Sequence, residues 1–273
     1  MHIPTTFKYG IAALCIASGA LQPTLATAQT NTTGDKWQVS ASIYGYLPTL
    51  SGTTRFPSDG GTSVSVDAST IIDNLKMTFM GTLDVHNGRW GVINDVLYLN
   101  LGNSKSGTRL SESIPVELSA TLGYDLKGTV WTVAGQYRMA TNNPAYTMDL
   151  LAGARYFGLK PTLNFAIGGT VGSHPLAGRS GSVEVSEHVW DGIVGVKGRY
   201  AFGSNRQWYV PYYLDVGTGQ SDLTWQAATG IGYVYSWGEL NALWRHMDYN
   251  MKSDRAVQSM TFNGPMVGAT FRW

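Results

Sequence analysis

The chain has 273 residues, a formal net charge of +1 and a single cysteine, and it combines 12% aromatic residues with only 14% charged ones. A soluble globular domain carries about 25% charged residues, and a nucleic-acid partner calls for a strongly basic face. The composition therefore supports neither. No internal apolar run reaches the roughly 20 residues that a membrane-crossing helix needs.

The first stretch places Lys8 before an apolar run from Ile11 to Ala17 and then Ala26-Thr27-Ala28 before Gln29, the layout of a cleaved secretory signal. Gly19, Gln22 and Pro23 end the run too early for a spanning helix. Cys15 lies inside it behind Leu14, which is too large for the small-residue site of a lipoprotein. Cleavage after residue 28 would remove the cysteine and Lys8, leaving 18 basic and 18 acidic residues. A mature chain without cysteine has neither a disulfide framework nor a thiol catalyst. The expected organisation is a signal over 1–28, a short periplasmic lead-in over 29–35 and one domain over 36–273.

From residue 36 the chain divides into segments of about ten residues whose polarity alternates with a period of two, as in a strand with two different faces. Ten such segments fall near 36–47, 77–86, 89–101, 128–139, 147–157, 188–201, 208–217, 223–236, 238–249 and 259–273. In 77–86, Met77, Phe79, Leu83 and Val85 oppose Thr78, Asp84 and His86. In 188–201, Trp190, Val194 and Val196 oppose Asp191, Lys197 and Arg199. Low charge without long apolar runs fits strands that show lipid one face and a polar lumen the other. The fold class expected is an all-β transmembrane antiparallel up-and-down barrel of about ten strands, with eight or twelve also compatible with the pattern.

Tight turns are predicted at 86–89, 141–144, 203–206 and 236–238, where Asn, Gly, Ser and Pro supply turn geometry. Longer connections are expected over 48–76, 102–127, 158–187 and 250–258, although 160–170 also reads as strand. Short turns at one end and long loops at the other is the asymmetry of outer-membrane barrels. Within the first long connection, Asp67 or Ser69 precedes the apolar pair Ile71-Ile72. That placement caps a helical turn, at an ordered surface loop or a lid.

The chain closes on Val267, Ala269, Phe271 and Trp273 at alternate positions. Together with the segment from Trp37 to Gly52 and the stretch from Gly88 to Leu101, this ending resembles uncharacterised proteobacterial outer-membrane barrel proteins. The resemblance covers nearly all of 36–273. It implies the fold, insertion among outer-membrane lipids, and recognition of the terminal strand by the barrel-assembly machinery; it implies no reaction.

Inward positions collect Asp84, Arg138, Asp149, Arg155, Asp191, Lys197, Arg199, Asp215 and Arg245. They either line a conduit or pair across a narrow lumen, since buried charges persist only when paired and hydrogen-bonded. A barrel of eight to ten strands is nearly filled by its own side chains, which favours pairing. Aromatic residues near segment ends read as interfacial belts. For chemistry, a base beside a nucleophile is needed, and only His188, with Ser186 and Glu187, and His246, with Asp248, come near it. Residues i and i+2 share a strand face, so His246 and Asp248 are placed to touch. The remaining histidines are scattered and no phosphate loop occurs, so neither metal nor cofactor is expected. The expected role is structural or at the surface, with a narrow channel and a rim hydrolase as alternatives. Oligomeric state is left open.

Overall fold

The computed structural model describes residues 36–55, 62–110, 116–171, 174–184 and 186–273; the expected signal and lead-in lie outside them. Thirteen strands and one helix follow in order: β1 Gln38–Tyr46, β2 Thr49–Thr54, β3 Thr62–Val66, α1 Ala68–Asp73, β4 Leu75–His86, β5 Trp90–Leu110, β6 Val116–Arg138, β7 Tyr146–Val171, β8 His174–Glu184, β9 Glu187–Phe202, β10 Trp208–Gly219, β11 Ser221–Val234, β12 Glu239–Met251 and β13 Val257–Arg272.

Ten of these close on themselves. β1, β4, β5, β6, β7, β9, β10, β11, β12 and β13 pair in that order, and β13 returns to β1 with Ser40 opposite Arg272 and Tyr46 opposite Met266. Every ladder is antiparallel, and the seam is sealed by reciprocal bonds between Val39 and Trp273, at 3.2 and 2.9 Å. Closure matters because an open edge would leave a row of unpaired backbone groups.

The tight turns and both barrel termini lie at one end. Gly88 and Gly203 adopt φ of +86° and +87°, conformations a side chain resists, and the Asn87 side chain accepts from the Trp90 N–H at 2.8 Å.

The opposite end departs from the sequence reading. Residues 102–110 and 116–127 are strand rather than loop: β5 and β6 run on for 21 and 23 residues, and β7 continues to Val171 to pair with β8. At roughly 3.3 Å per residue, β6 is about 75 Å long, whereas 9–11 residues cross a bilayer. A sheet flap of β5, β6, β7 and β8 therefore stands beyond the barrel. The first long connection also contains strands: β2 extends the wall past Pro48, and β3 pairs back onto it.

Side-chain burial is inverted relative to a soluble protein. Val194 and Val267 are each 59% exposed on the outside, while Arg155 on the inside is wholly buried. Two tiers of outward aromatics bound this apolar surface. Trp90 packs on Tyr137, Trp208 on Tyr233 and Trp237 on Phe271 at the turn end; Trp131 and Tyr156 pack on Trp190 higher up. A closed wall with an apolar exterior between aromatic tiers suits a bilayer as solvent.

Candidate functional site

The inward face of the barrel holds the densest polar chemistry in the molecule, and it divides into tiers. At the turn end, Arg199 and Arg272 both reach Glu239, at 2.7 and 2.6 Å, and Arg138 donates to both Asp149 oxygens from its Nε and Nη2. Asp84 binds Lys197 and accepts from the Gln136 amide at 2.7 Å.

In the middle tier, Arg155 from β7 and Asp215 from β10 form a two-pronged pair with both side chains wholly buried, one contact being 2.9 Å. Thr132 accepts from the Arg155 Nε at 3.0 Å. Beside it Arg245 donates to Asp95 at 2.8 Å, to Gln226 at 3.0 Å and to the Tyr44 hydroxyl at 3.1 Å. Tyr44 in turn donates to Asp95 at 2.8 Å. The Arg245 guanidinium also lies 5.8 Å and 5.7 Å from the ring centres of Tyr44 and Tyr46, a cation–π arrangement. Asp191 accepts from the Ser221 amide and hydroxyl, at 2.8 and 2.7 Å.

Above these tiers the lumen turns apolar. Leu97, Leu99, Val130, Phe157, Tyr249 and Phe262 belong to one buried cluster. Phe157 packs on Tyr249 with ring centres 4.6 Å apart. Ile71 of α1, 2% exposed, joins that cluster, so the helix is anchored by its one buried residue. Asp67 is the cap, accepting from the Thr70 amide at 2.8 Å; Ser69 only supports it by donating to the same carboxylate.

Three inward partners were missed by the sequence reading: Asp95, Glu239 and Arg272. Asp95 sits in a stretch apolar on both faces, and Glu239 and Arg272 sit at strand ends, so alternation did not mark them. Charge balance would have found the acids. The inward list of Asp84, Asp149, Asp191 and Asp215 was short of acids against Arg138, Arg155, Lys197, Arg199 and Arg245; adding Asp95 and Glu239, together with Arg272, equalises the two signs.

The histidine candidates come together differently from the expectation. His246 and Asp248 point outward, and each has another partner: His246 stacks on Trp225 with 4.6 Å between centres and lies 3.1 Å from the Asn263 Oδ1, while Asp248 accepts from Thr261 at 2.6 Å. Asn263 also accepts from the Trp244 indole at 2.9 Å. His188 is on β9, separated from β12 by two intervening strands, and its neighbour Glu187 pairs with Arg255 at 3.5 Å. No nucleophile with an oriented base is assembled by these residues. Among the described residues no group of three or more His, Cys, Asp or Glu side chains is placed to hold a metal.

A shallow concavity of about 400 Å³ lies on the flap, lined by Lys76, Asn103, Asp125, Asn164 and Phe165 among others. Lys76 and Asp125 pair across it.

No family model and no curated protein matches the sequence. Among solved structures, the chain is similar to Ail, the attachment invasion locus protein of Yersinia pestis, at 13% identity over 88% of this chain and 100% of that one, with a TM-score of 0.33. It is similar also to the translocator domain of the autotransporter NalP from Neisseria meningitidis, at 16% identity over 89% and 90% of the two chains and a TM-score of 0.35. The transport unit of the autotransporter AIDA-I from Escherichia coli matches at 10% identity over 89% and 92%, with a TM-score of 0.29.

Proposed function

We propose that this chain is an outer-membrane barrel of structural or surface role, whose lumen is closed by its own side chains and whose wall carries the β5–β8 flap outside the membrane. The observation that carries the reading is the Arg155–Asp215 pair, wholly buried at mid-height inside the barrel beneath an apolar layer. A water-filled conduit would keep such charges hydrated. Here they are satisfied by each other and by Thr132, and the layer above is built mainly of apolar side chains. In this reading the 1–28 signal directs export, and Val267, Ala269, Phe271 and Trp273 present the terminal strand to the assembly machinery. The outward placement of Val267, Phe271 and Trp273, at 59, 39 and 62% exposure, supports that presentation.

The test is conductance of the refolded mature chain in a planar bilayer, with folding established separately by heat-modifiable gel mobility. A folded barrel that gives no discrete openings is the expected result. Reproducible openings that change on substituting Arg155 or Arg245 would replace this reading by a solute channel.

A further inference from the structure

The upper wall of the barrel is not continuous. β4 begins at Leu75, while its neighbour β5 runs on to Leu110. On the other side the wall passes from β13 to β2 and then to β3, which among the described residues pairs along one edge only. Among the described residues no strand is paired between β3 and upper β5, and α1 follows β3 at that seam. Its C-cap residue Asn74 is tied to β5, the Gly102 amide donating to the Asn74 carbonyl at 2.9 Å.

Behind the seam lies a cavity of about 50 Å³ with an apolar wall, lined by Val66 on one bank, Leu99 on the other, and Val130, Phe157, Leu159 and Met260 behind. Its size exceeds one water, but water would find no partners there, and it is well below the roughly 150 Å³ that holds a benzene ring. A dry space of this volume, bordered by Met260, whose side chain adapts readily, takes the last methylenes of a hydrocarbon chain. Outside the same seam the surface is apolar too: Ile72, Met77 and Phe79 are 52, 58 and 55% exposed. Hydrocarbon from a surrounding bilayer therefore meets the seam directly.

We propose that this cavity receives the end of a linear hydrocarbon chain, entering from the bilayer past α1 between β3 and β5. The proposal rests on membrane insertion of the barrel and is independent of whether the lumen conducts. Either a lipid acyl chain or a free fatty acid has the required chemistry.

Gly128 provides the decisive variant. A Cβ there would meet only Leu159 Cδ1, at 3.9 Å, so a leucine fills the cavity without striking backbone. Gly135, whose Cβ would meet only the Ala152 carbonyl at 3.7 Å, faces outward and gives the matched control. The mature chain, labelled at methionine methyls, is refolded into phospholipid nanodiscs, and nuclear Overhauser contacts from chain protons to Met260 and to outward Met77 are measured. One sample has protonated lipid chains; another has deuterated lipid chains and added protonated dodecanoic acid. Contacts to Met260 are expected in at least one sample, the first identifying membrane lipid as the source and the second a free acid. They should fall at least about tenfold in Gly128→Leu, equivalent to about 1.4 kcal/mol of binding, and persist in Gly135→Leu. Contacts to Met77 but not to Met260 overturn the proposal while leaving the embedded barrel standing. Absence of both overturns insertion as well. Contacts to Met260 that survive Gly128→Leu place the chain elsewhere and also overturn it.

Discussion

Arg155 and Asp215 meet across β9, which separates their strands, and neither side chain retains any exposure. Gly195 stands opposite Asp215 on that intervening strand and leaves room for its side chain: a Cβ there would fall 2.4 Å from the Leu214 carbonyl and 2.7 Å from the Asp215 Cβ. Removing one partner of a buried pair strands the other charge, at a cost of about 3–5 kcal/mol, whereas replacing both by apolar residues is often neutral. Arg155→Met is therefore expected to lower stability in urea titrations of the vesicle-inserted barrel by that amount, and Arg155→Met with Asp215→Leu to recover most of it. Small, additive effects of the two single changes would show a hydrated lumen instead.

The boundary between lipid and water is testable with one substitution made in two places. Val194 in the barrel wall and Val183 in the flap are 59 and 47% exposed. Val194→Arg should cost about 2–4 kcal/mol, the penalty for a cation near the bilayer midplane, and the corresponding change at Val133 should behave likewise. Val183→Arg should stay within about 0.5 kcal/mol, as at a surface site in water. Equal penalties at Val194 and Val183 would put the flap in the membrane.

Acid should loosen α1. Hydrogen bonds from the Thr70 amide and side chain, then from Ser69, hold the Asp67 carboxyl below the usual carboxylate range. A lowered folded value means that the cap's contribution is complete above about pH 4 and is lost as pH falls through the folded value. The Thr70 amide proton resonance should shift below that pH in the wild type. It should not in Asp67→Asn, which caps without titrating. An unchanged resonance down to pH 2.5 would show that the carboxylate does not hold this turn.

Assembly and stability should separate at the terminal strand. Phe271→Ser removes an outward ring whose centre is 5.5 Å from that of Trp237, worth about 0.5–1.5 kcal/mol as an aromatic contact. Refolding in vitro should therefore survive, while the amount inserted in cells should drop severalfold, measured by heat-modifiable mobility of isolated envelopes. Equal losses in both settings would make Phe271 a stability residue only.

The ten wall strands, their faces and their turns were legible in the sequence because each residue pair within the barrel wall reports two media at once. Lipid asks for Val194, Leu214 and Val267 on one side, and a satisfied polar interior asks for Asp191, Asp215 and Arg245 on the other. That demand stops where the strand leaves the membrane. Asn103 and Ser104 on β5 meet water on both faces, so polarity there carries no period of two, and the flap reads as loop.

Sequence alone determined that the chain makes a barrel and most of the charged side chains that enter its lumen, since both follow from local alternation; Asp95, Glu239 and Arg272 escaped it. Only the closed tertiary structure decided who pairs with whom: Arg245 with Asp95, Arg199 and Arg272 with Glu239, Arg155 across β9 with Asp215. It also decided that an apolar tier caps them and that α1 stands in an unpaired seam. These depend on ladder register and strand tilt, which set side chains far apart in sequence at one height, and no local pattern encodes that height.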